Sequence, residues 1–451
     1  MDHDQFTYTE FRVSDDRRTV WFDYVAWYGD REVQFTESLE FPAPLLDTPE
    51  QSRSLRALHL ALGVSYYKKF LPPRIAHPYA MDADEAAFWN SNWQNGLGEF
   101  LYVNKLDVAR VAHFGEQDGI KFEGSGAGDA SGAILGIGGG KDSIVAGELL
   151  KDVGVPVSGF VMATGEQLGQ AASVAATMQV PLHAVKRKLD TQLIELKGQP
   201  GTYSGHVPIS MIFGLVGAAL AIAQKAAYVV VANEASASIP RIMWGDRAVN
   251  HQWSKSYGFE KDLQRFIQRS IAGQITYFSA VRQLTSIGIA KLFTKLPRYF
   301  EVFTSDNSVF RIDPAKRPSG RWSLESPKSL SSYLLLAPWL SDTDVARIFT
   351  IDFLNEPSLS TLFLELTGVE GEPPLDCVGT VEELVLSVNL LARAERYSDT
   401  TLMKLAAERG VVQDKDWDTE LTDLLALQTD QALPENLQDA ITSYLQTKVS
   451  A

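Results

Sequence analysis

A chain of 451 residues is too long for one ordinary hydrophobic core, so two or three domains are expected. Its 45% hydrophobic and 22% charged residues exclude a disordered chain, and a formal net charge of -15 excludes a nucleic-acid coat or an anionic membrane surface as partner. A single cysteine, Cys377, excludes an internal disulfide framework and a cysteine-built zinc site.

The opening MDHDQFTYTEF has neither a basic n-region nor an apolar h-region, so no signal peptide is expected and the cytoplasm is the simplest compartment. FTYTEFRV, TVWFDYVA and EVQFTESLEF alternate with period two and are separated by SDDRR and YGDR, which predicts three antiparallel strands in a meander. Helical patterns follow in PEQSRSLRALHLALGVSYYKKFL and from Asp84 to about Tyr102. The glycine-rich stretch Gly115 to Gly132 marks a boundary. The expected divisions are an N-terminal α+β domain over 1–115, a linker over 116–132, an α/β domain over 133–330 and a helical region over 331–451.

From Ala133 the runs AILGIG, VSGFVMA, LHAVKR and AYVVVAN alternate with helical stretches at Asp142–Asp152, Glu166–Met178 and Ile209–Lys225. That alternation predicts an α/β fold with a doubly wound parallel sheet. Val207 to Ala223, the most apolar stretch, is short for a membrane span and contains Pro208, so it reads as a buried helix.

The turn GGGKDS follows the first of these strands. It is not a Walker A loop, because Leu135 stands where the first glycine belongs and Asp142 follows Lys141. It is not a dinucleotide fingerprint either, because Lys141 takes the place of the third glycine. What remains is a strand, a turn with exposed backbone N–H groups and a helix N-terminus, the physical make-up of an anion cradle.

GGGKDS resembles the SGGxDS loop of the N-type ATP pyrophosphatases, the PP-loop family, which cleaves ATP between its α and β phosphates and adenylates a substrate. The resemblance implies a sheet of PP-loop type, with Gly138, Gly139, Gly140, Lys141 and Ser143 on the pyrophosphate portion of ATP and Asp142 placing Mg²⁺. Gly138 replaces the usual first serine of that pattern.

A dense polar stretch runs from Asn233 to Glu260. Asn233, Glu234 and Ser236 follow the fourth apolar run, while Asn250, His251, Gln252, Ser254, Lys255 and Ser256 precede a helix expected near Phe259. It reads either as a solvated loop with its helix cap or as a ligand-binding edge. Arg241, Arg247, Lys255, Lys261 and Arg265 give it a positive character that the whole chain lacks.

NEASAS, VNHQWSKSYGFE, FWNSNWQNGLGEFLY and LDCVGTVEE together resemble the family of enzymes that epimerise the terminal L-glutamate of UDP-N-acetylmuramoyl-L-alanyl-L-glutamate. The resemblance implies an isomerase of peptidoglycan precursor synthesis that uses ATP and Mg²⁺ and passes through an acyl-adenylate. Its substrate would be the UDP-linked muramoyl dipeptide, with functional coupling to the ligase that adds L-Glu and no nucleic-acid or membrane partner. Asn233, Glu234, Ser236, Asn250, Gln252, Ser254, Ser256 and Arg321 would bind substrate. Where that family commonly has a cysteine-containing element, RWSLESPKS places Ser323, Ser326 and Ser329.

Cys377 lies just before a T-x-x-E pattern, Thr380 to Glu383, that predicts a capping box opening an amphipathic helix. A lone cysteine is often an inert buried residue. A helix N-terminus nonetheless favours the thiolate, so Cys377 is a candidate base for the α-proton, with His251 the first choice for the opposite face and Lys255 for the reacting carboxylate or phosphates. His77, His113, His183 and His206 read as packing or surface residues, and Met162 and Met178 as core. Three alternatives stay open: an amidating ligase, a tRNA-modifying enzyme and a nucleotide-binding regulator without turnover. The acidic charge and single cysteine count against the second, and the lack of an N-terminal glutaminase nucleophile against the first.

Overall fold

The computed structural model describes residues 4–124, 129–163, 167–306, 308, 318 and 320–450. Part of the expected glycine-rich linker, 125–128, and the expected helix start at Glu166 lie outside the described residues.

The meander forms as expected from β1 (Gln5–Val13), β2 (Thr19–Tyr28) and β3 (Arg31–Glu40). Val20, Phe22, Tyr24 and Ala26 of β2 are all buried, which is the period-two pattern expressed as one apolar face. β4 (Arg74–Ala76) adds parallel to β1. The parallel strands are β5 (Ala133–Gly136), β6 (Val157–Ala163), β7 (Leu182–Lys188) and β8 (Tyr228–Val231). β9 (Ile242–Trp244) and β10 (Arg247–Val249) pair as a separate hairpin. β11 (Thr276–Ser279) is a further parallel strand, beside β8, that the alternation in the sequence did not suggest.

Meander and parallel strands belong to one nine-stranded sheet, in the order β11-β8-β5-β6-β7-β3-β2-β1-β4. The junction is an antiparallel pairing of β3 with β7, Ser38 to Lys188 through Glu40 to Lys186. A buried pair fastens it, with Arg187 Nε donating to Glu37 Oε1 at 2.5 Å. The fold is therefore mixed α/β with a large, parallel-rich sheet.

Helices cover both faces. On one, Pro49–Leu62, Ile209–Gln224 and Tyr257–Phe266 enclose a core that includes Phe22, Leu58, Ile134, Phe160, Leu220 and Tyr277. On the other, Lys141–Asp152, Gln167–Met178 and Ser286–Phe293 pack with Leu135, Val161 and Phe278, and the C-terminal helices continue that core. Neighbours Ile134 and Leu135 thus serve opposite cores, as the pleat dictates. Ile209–Gln224 is the buried helix expected from its composition. It lies so close to the sheet that a Cβ on Gly217 would stand 2.6 Å from Val229. No described helix is long and apolar enough to cross a membrane.

The chain runs from β5 through β6 to β7 on one side, then returns to β8 and β11 on the other. Strand order reverses between β5 and β8, and open α/β sheets bind ligands in the crevice outside the carboxyl ends of strands at such a point.

Candidate active site

The turn after β5 opens onto that crevice. Gly138 faces open space, Gly139 adopts a φ of +95°, and Gly140 stands at the N-cap of helix Lys141–Asp152. Backbone N–H groups at a helix N-terminus are suited to an anion. Ser143 Oγ donates to Gly140 O at 3.1 Å and so ties the turn to the helix. A Cβ on Gly139 would stand 2.5 Å from Gln170 Cγ, and Gln170 is itself held by its amide to Val302 O. Gly139→Ala is therefore expected to cost about 1–3 kcal/mol, measured as a lower denaturation free energy.

Beyond the turn, a pocket is lined by Lys141, Asp142, Asn233, Glu234, Gln252 and Lys255, together with Ser286, Ser305, Lys328, Ser331, Ser332 and Cys377. Asn233 and Glu234 arrive from the end of β8, Lys328 to Ser332 from helix Pro327–Leu336, and Cys377 from the segment before helix Val381–Arg393. Residues spread over the sequence from Lys141 to Cys377 thus meet at the reversal.

Lys141 Nζ donates to Asp142 Oδ1 at 2.5 Å. Burial works against the Lys141 ammonium, but Asp142 and Glu234 outweigh it and hold its pKa above the ordinary lysine value. Lys255 Nζ donates to Cys377 Sγ at 3.1 Å. The sulfur's charge is the first cause of a Lys255 pKa well above its usual value, and it outweighs burial. His251 is buried, and neither ring nitrogen has a hydrogen-bond partner among the described residues. Burial, then the charges of Arg241, Lys255, His206 and Lys328, push it down to about 3, so the imidazole is neutral at physiological pH.

Several expected site residues are occupied in holding the crevice together. Ser236 Oγ donates to Glu383 Oε2 at 3.0 Å, and Asn250 Nδ2 to Ala237 O at 3.0 Å. Ser256 is the N-cap of helix Tyr257–Phe266 and accepts from Phe259 N. Ser254 is buried in a 3₁₀ turn, Trp253–Lys255, and none of these four lines the pocket. Arg321 is also outside the lining, its guanidinium donating to the carbonyls of Phe300, Phe303 and Ile348. In the serine element, Ser329 Oγ donates to Asp306 Oδ2 at 2.9 Å, and Ser323 Oγ lies 3.1 Å from Ser308 Oγ. Hydroxyls and a carboxylate stitch this loop.

The capping box is present as expected: Thr380 accepts from Glu383 N, and Glu383 accepts from Thr380 N at 2.7 Å. Glu383 also accepts from Ile287 N at 3.0 Å, which joins the N-termini of two helices at one buried carboxylate. Burial, then Glu234, raise its pKa. Sequence reading passed over the group beneath the pocket, Arg282. Its Nη1 and Nη2 each donate at 2.6 Å, to Glu234 O and Lys255 O, and its Nε donates to Glu260 Oε2 at 2.8 Å. An arginine isolated in an apolar context, SAVRQL, was the available signal, since such a cation is rarely buried without a partner.

No group of three or more His, Cys, Asp and Glu residues is gathered for a metal ion among the described residues. Mg²⁺ carried by a nucleotide needs only one or two carboxylates beside the phosphates, and Asp142 at the pocket wall fits that requirement.

A charged crevice at the reversal of a parallel sheet, lined by a thiol and an ammonium in contact, is the candidate active site of an α/β enzyme. Models of the MurL N-terminal domain and the MurL C-terminal domain match residues 1–280 and 302–421. The chain belongs to the MurL family. It is similar to the UDP-N-acetyl-alpha-D-muramoyl-L-alanyl-L-glutamate epimerase of Salinispora tropica, 31% identical over 93% of this chain and 91% of the relative. The proteins of the same name from a Micromonospora species and Xanthomonas oryzae pv. oryzae are 31% and 32% identical, covering 89% and 86% of this chain and 90% and 85% of theirs. Epimerases are isomerases, and this chain is an enzyme of that class.

Proposed function

We propose that this chain epimerises the terminal L-glutamate of UDP-N-acetylmuramoyl-L-alanyl-L-glutamate, using ATP and Mg²⁺ to adenylate the glutamate carboxylate before its α-proton is moved. The observation that carries the reading is the sharing of one pocket by Lys141 and Asp142, beside the glycine turn, and by the Lys255–Cys377 pair. It supports activation of a carboxylate and proton transfer next to it in one place. A family of epimerases supports the substrate.

The division of labour follows from chemistry. An α-proton beside a carboxylate is hard to remove, because the carbanion would sit next to existing negative charge, and adenylation removes that charge. Bound Mg²⁺ would neutralise phosphate charge during this step. In this reading the glycine turn and Ser143 hold the phosphates, and Asp142 orients the ion. Lys255 attracts the reacting acyl group and donates to the Cys377 sulfur, and that sulfur takes the proton. Asn233, Glu234 and Gln252 line the same pocket and orient the glutamyl group.

The test is pyrophosphate and AMP release, with D-glutamyl product, on adding the UDP-linked dipeptide. ATP consumed at the same rate without the dipeptide, or ATP bound with no turnover, would remove the reading. Asp142→Ala and Ser143→Ala are each expected to lower AMP formation by about 100-fold or more while the far-ultraviolet spectrum is kept. A double variant with wild-type AMP formation would detach the glycine turn from catalysis.

A further inference from the structure

The glycine turn does not stand alone at the pocket. Residues 302–306, which neither the sequence motifs nor the mechanism above has used, are hydrogen-bonded to it: Thr304 N donates to Gly139 O at 3.1 Å, and the Gln170 side chain beside Gly139 donates to Val302 O. Ser305 Oγ then stands 3.4 Å from where a Cβ on Gly140 would lie, and Ser305 lines the pocket. A hydroxyl from the far half of the chain is thus placed at the turn itself.

The same segment brings a helix to the pocket. Asp306 accepts from Ser308 N at 2.7 Å on one carboxylate oxygen and from Ser329 Oγ at 2.9 Å on the other, and Ser329 belongs to helix Pro327–Leu336. In that helix Lys328, Ser331, Ser332 and Leu335 recur at i, i+3, i+4 and i+7, so they share one face, and all four line the pocket. Turn, segment and helix are one hydrogen-bonded frame. Its chemistry suits more than a backbone cradle offers. A polyphosphate carries negative charge on every phosphate, whereas within the turn Lys141 is paired with Asp142 at 2.5 Å and Ser143 Oγ ties back to Gly140 O. A second cation and a second hydroxyl are called for, and Lys328 and Ser305 bring these two kinds of group to the same pocket.

We propose that Ser305 and Lys328 bind the two phosphates of ATP that leave as pyrophosphate, so that the MurL N-terminal domain, which supplies the turn, and the MurL C-terminal domain, which supplies these two residues, hold ATP between them. This rests on the ATP-dependent reading above. Position selects the terminal phosphates. Ser305 Oγ is against the turn, whereas the α-phosphate has to meet the glutamyl carboxylate, whose place in that reading is beside Lys255 and Cys377. Ser305 donates its O–H and Lys328 its N–H groups to phosphate oxygens, and neither moves a proton at the α-carbon.

Binding is measured without turnover, by titration calorimetry of the full-length enzyme with magnesium pyrophosphate and, separately, with AMP. Ser305→Ala and Lys328→Met are each expected to weaken pyrophosphate by about 10-fold or more, the range for losing a hydrogen bond to a charged group, and to leave AMP within about twofold. During turnover both variants should raise KM for ATP and leave KM for the UDP-linked dipeptide unchanged. Their urea midpoints should stay near the wild type, because Thr304 N and the Asp306 carboxylate, not these two side chains, fasten the frame. Wild-type pyrophosphate affinity in either variant would overturn the role of that residue. A raised KM for the dipeptide with ATP unchanged would overturn the proposal and assign Lys328 to a carboxylate of the substrate, and equal losses for pyrophosphate and AMP would overturn it as the mark of a distorted pocket. The ATP reading survives each of these results. A wild-type enzyme that releases no pyrophosphate from ATP in the presence of the dipeptide would remove that reading and the proposal with it.

Discussion

Cys377→Ser is expected to uncouple the two halves of the reaction. Substrate-dependent pyrophosphate release should persist near the wild-type rate, and solvent deuterium at the α-carbon of both epimers should fall by about 1,000-fold or more. The direction follows from the Lys255–Cys377 contact of 3.1 Å. An ammonium beside sulfur supports a thiolate, while the same ammonium beside a serine hydroxyl meets a group that stays protonated, so the base is lost and the volume is nearly kept. Adenylation comes first and does not use the sulfur, which is why it survives. Lys255→Ala should slow both halves, since the acyl group and the sulfur each lose their cation. Deuterium exchange in Cys377→Ser at the wild-type rate would rule out the thiol as base. Loss of pyrophosphate release along with exchange would assign Cys377 to maintaining the segment before helix Val381–Arg393.

How much of this was legible depends on whether the information is local. The meander, the strand–glycine turn–helix unit and the Thr380–Glu383 capping box each lie within a few residues, and each formed where its pattern lay. The pairing of β3 with β7 spans about 150 residues, and alternation along either strand says nothing about its neighbour in the sheet. β11, TYFS, has only two consecutive apolar residues between a threonine and a serine, whereas β5 and β8, no longer, lie in unbroken apolar runs. The candidate site shows the same limit. Lys141, Asp142, Asn233, Glu234, Gln252, Lys255 and Cys377 were picked out one stretch at a time, and the fold brings them to one pocket. Ser254 and Ser256, drawn from the same rich stretch, are taken up by a 3₁₀ turn and a helix cap, because adjacent residues in a turn cannot all face one way.

Arg282→Met is expected to cost about 3–5 kcal/mol of stability, the range for removing one partner of a fully buried ion pair. Arg282 and Glu260 are both wholly inaccessible, and two guanidinium nitrogens reach Glu260 Oε2, at 2.8 and 2.7 Å. Glu260 keeps the Ser279 N–H on its other oxygen, but burial already raises its pKa, so without the arginine the carboxylate has to take up a proton to stay inside. Neutralising both partners separates this electrostatic loss from the rest. Arg282→Met with Glu260→Gln should recover more than half of the lost stability, because an uncharged buried pair of similar volume carries no unpaired charge. Activity should not return with it. The same guanidinium also anchors Glu234 O and Lys255 O, each at 2.6 Å, and those carbonyls fix the backbone that aims Glu234 and Lys255 into the pocket. The double variant should therefore be more stable in urea than Arg282→Met and still form product slowly, with the loss in kcat, since a site about 1 Å out of position binds but turns over poorly. A loss below about 1 kcal/mol in the single variant, or full turnover in the double one, would show that the crevice is held by its helices and not by this arginine.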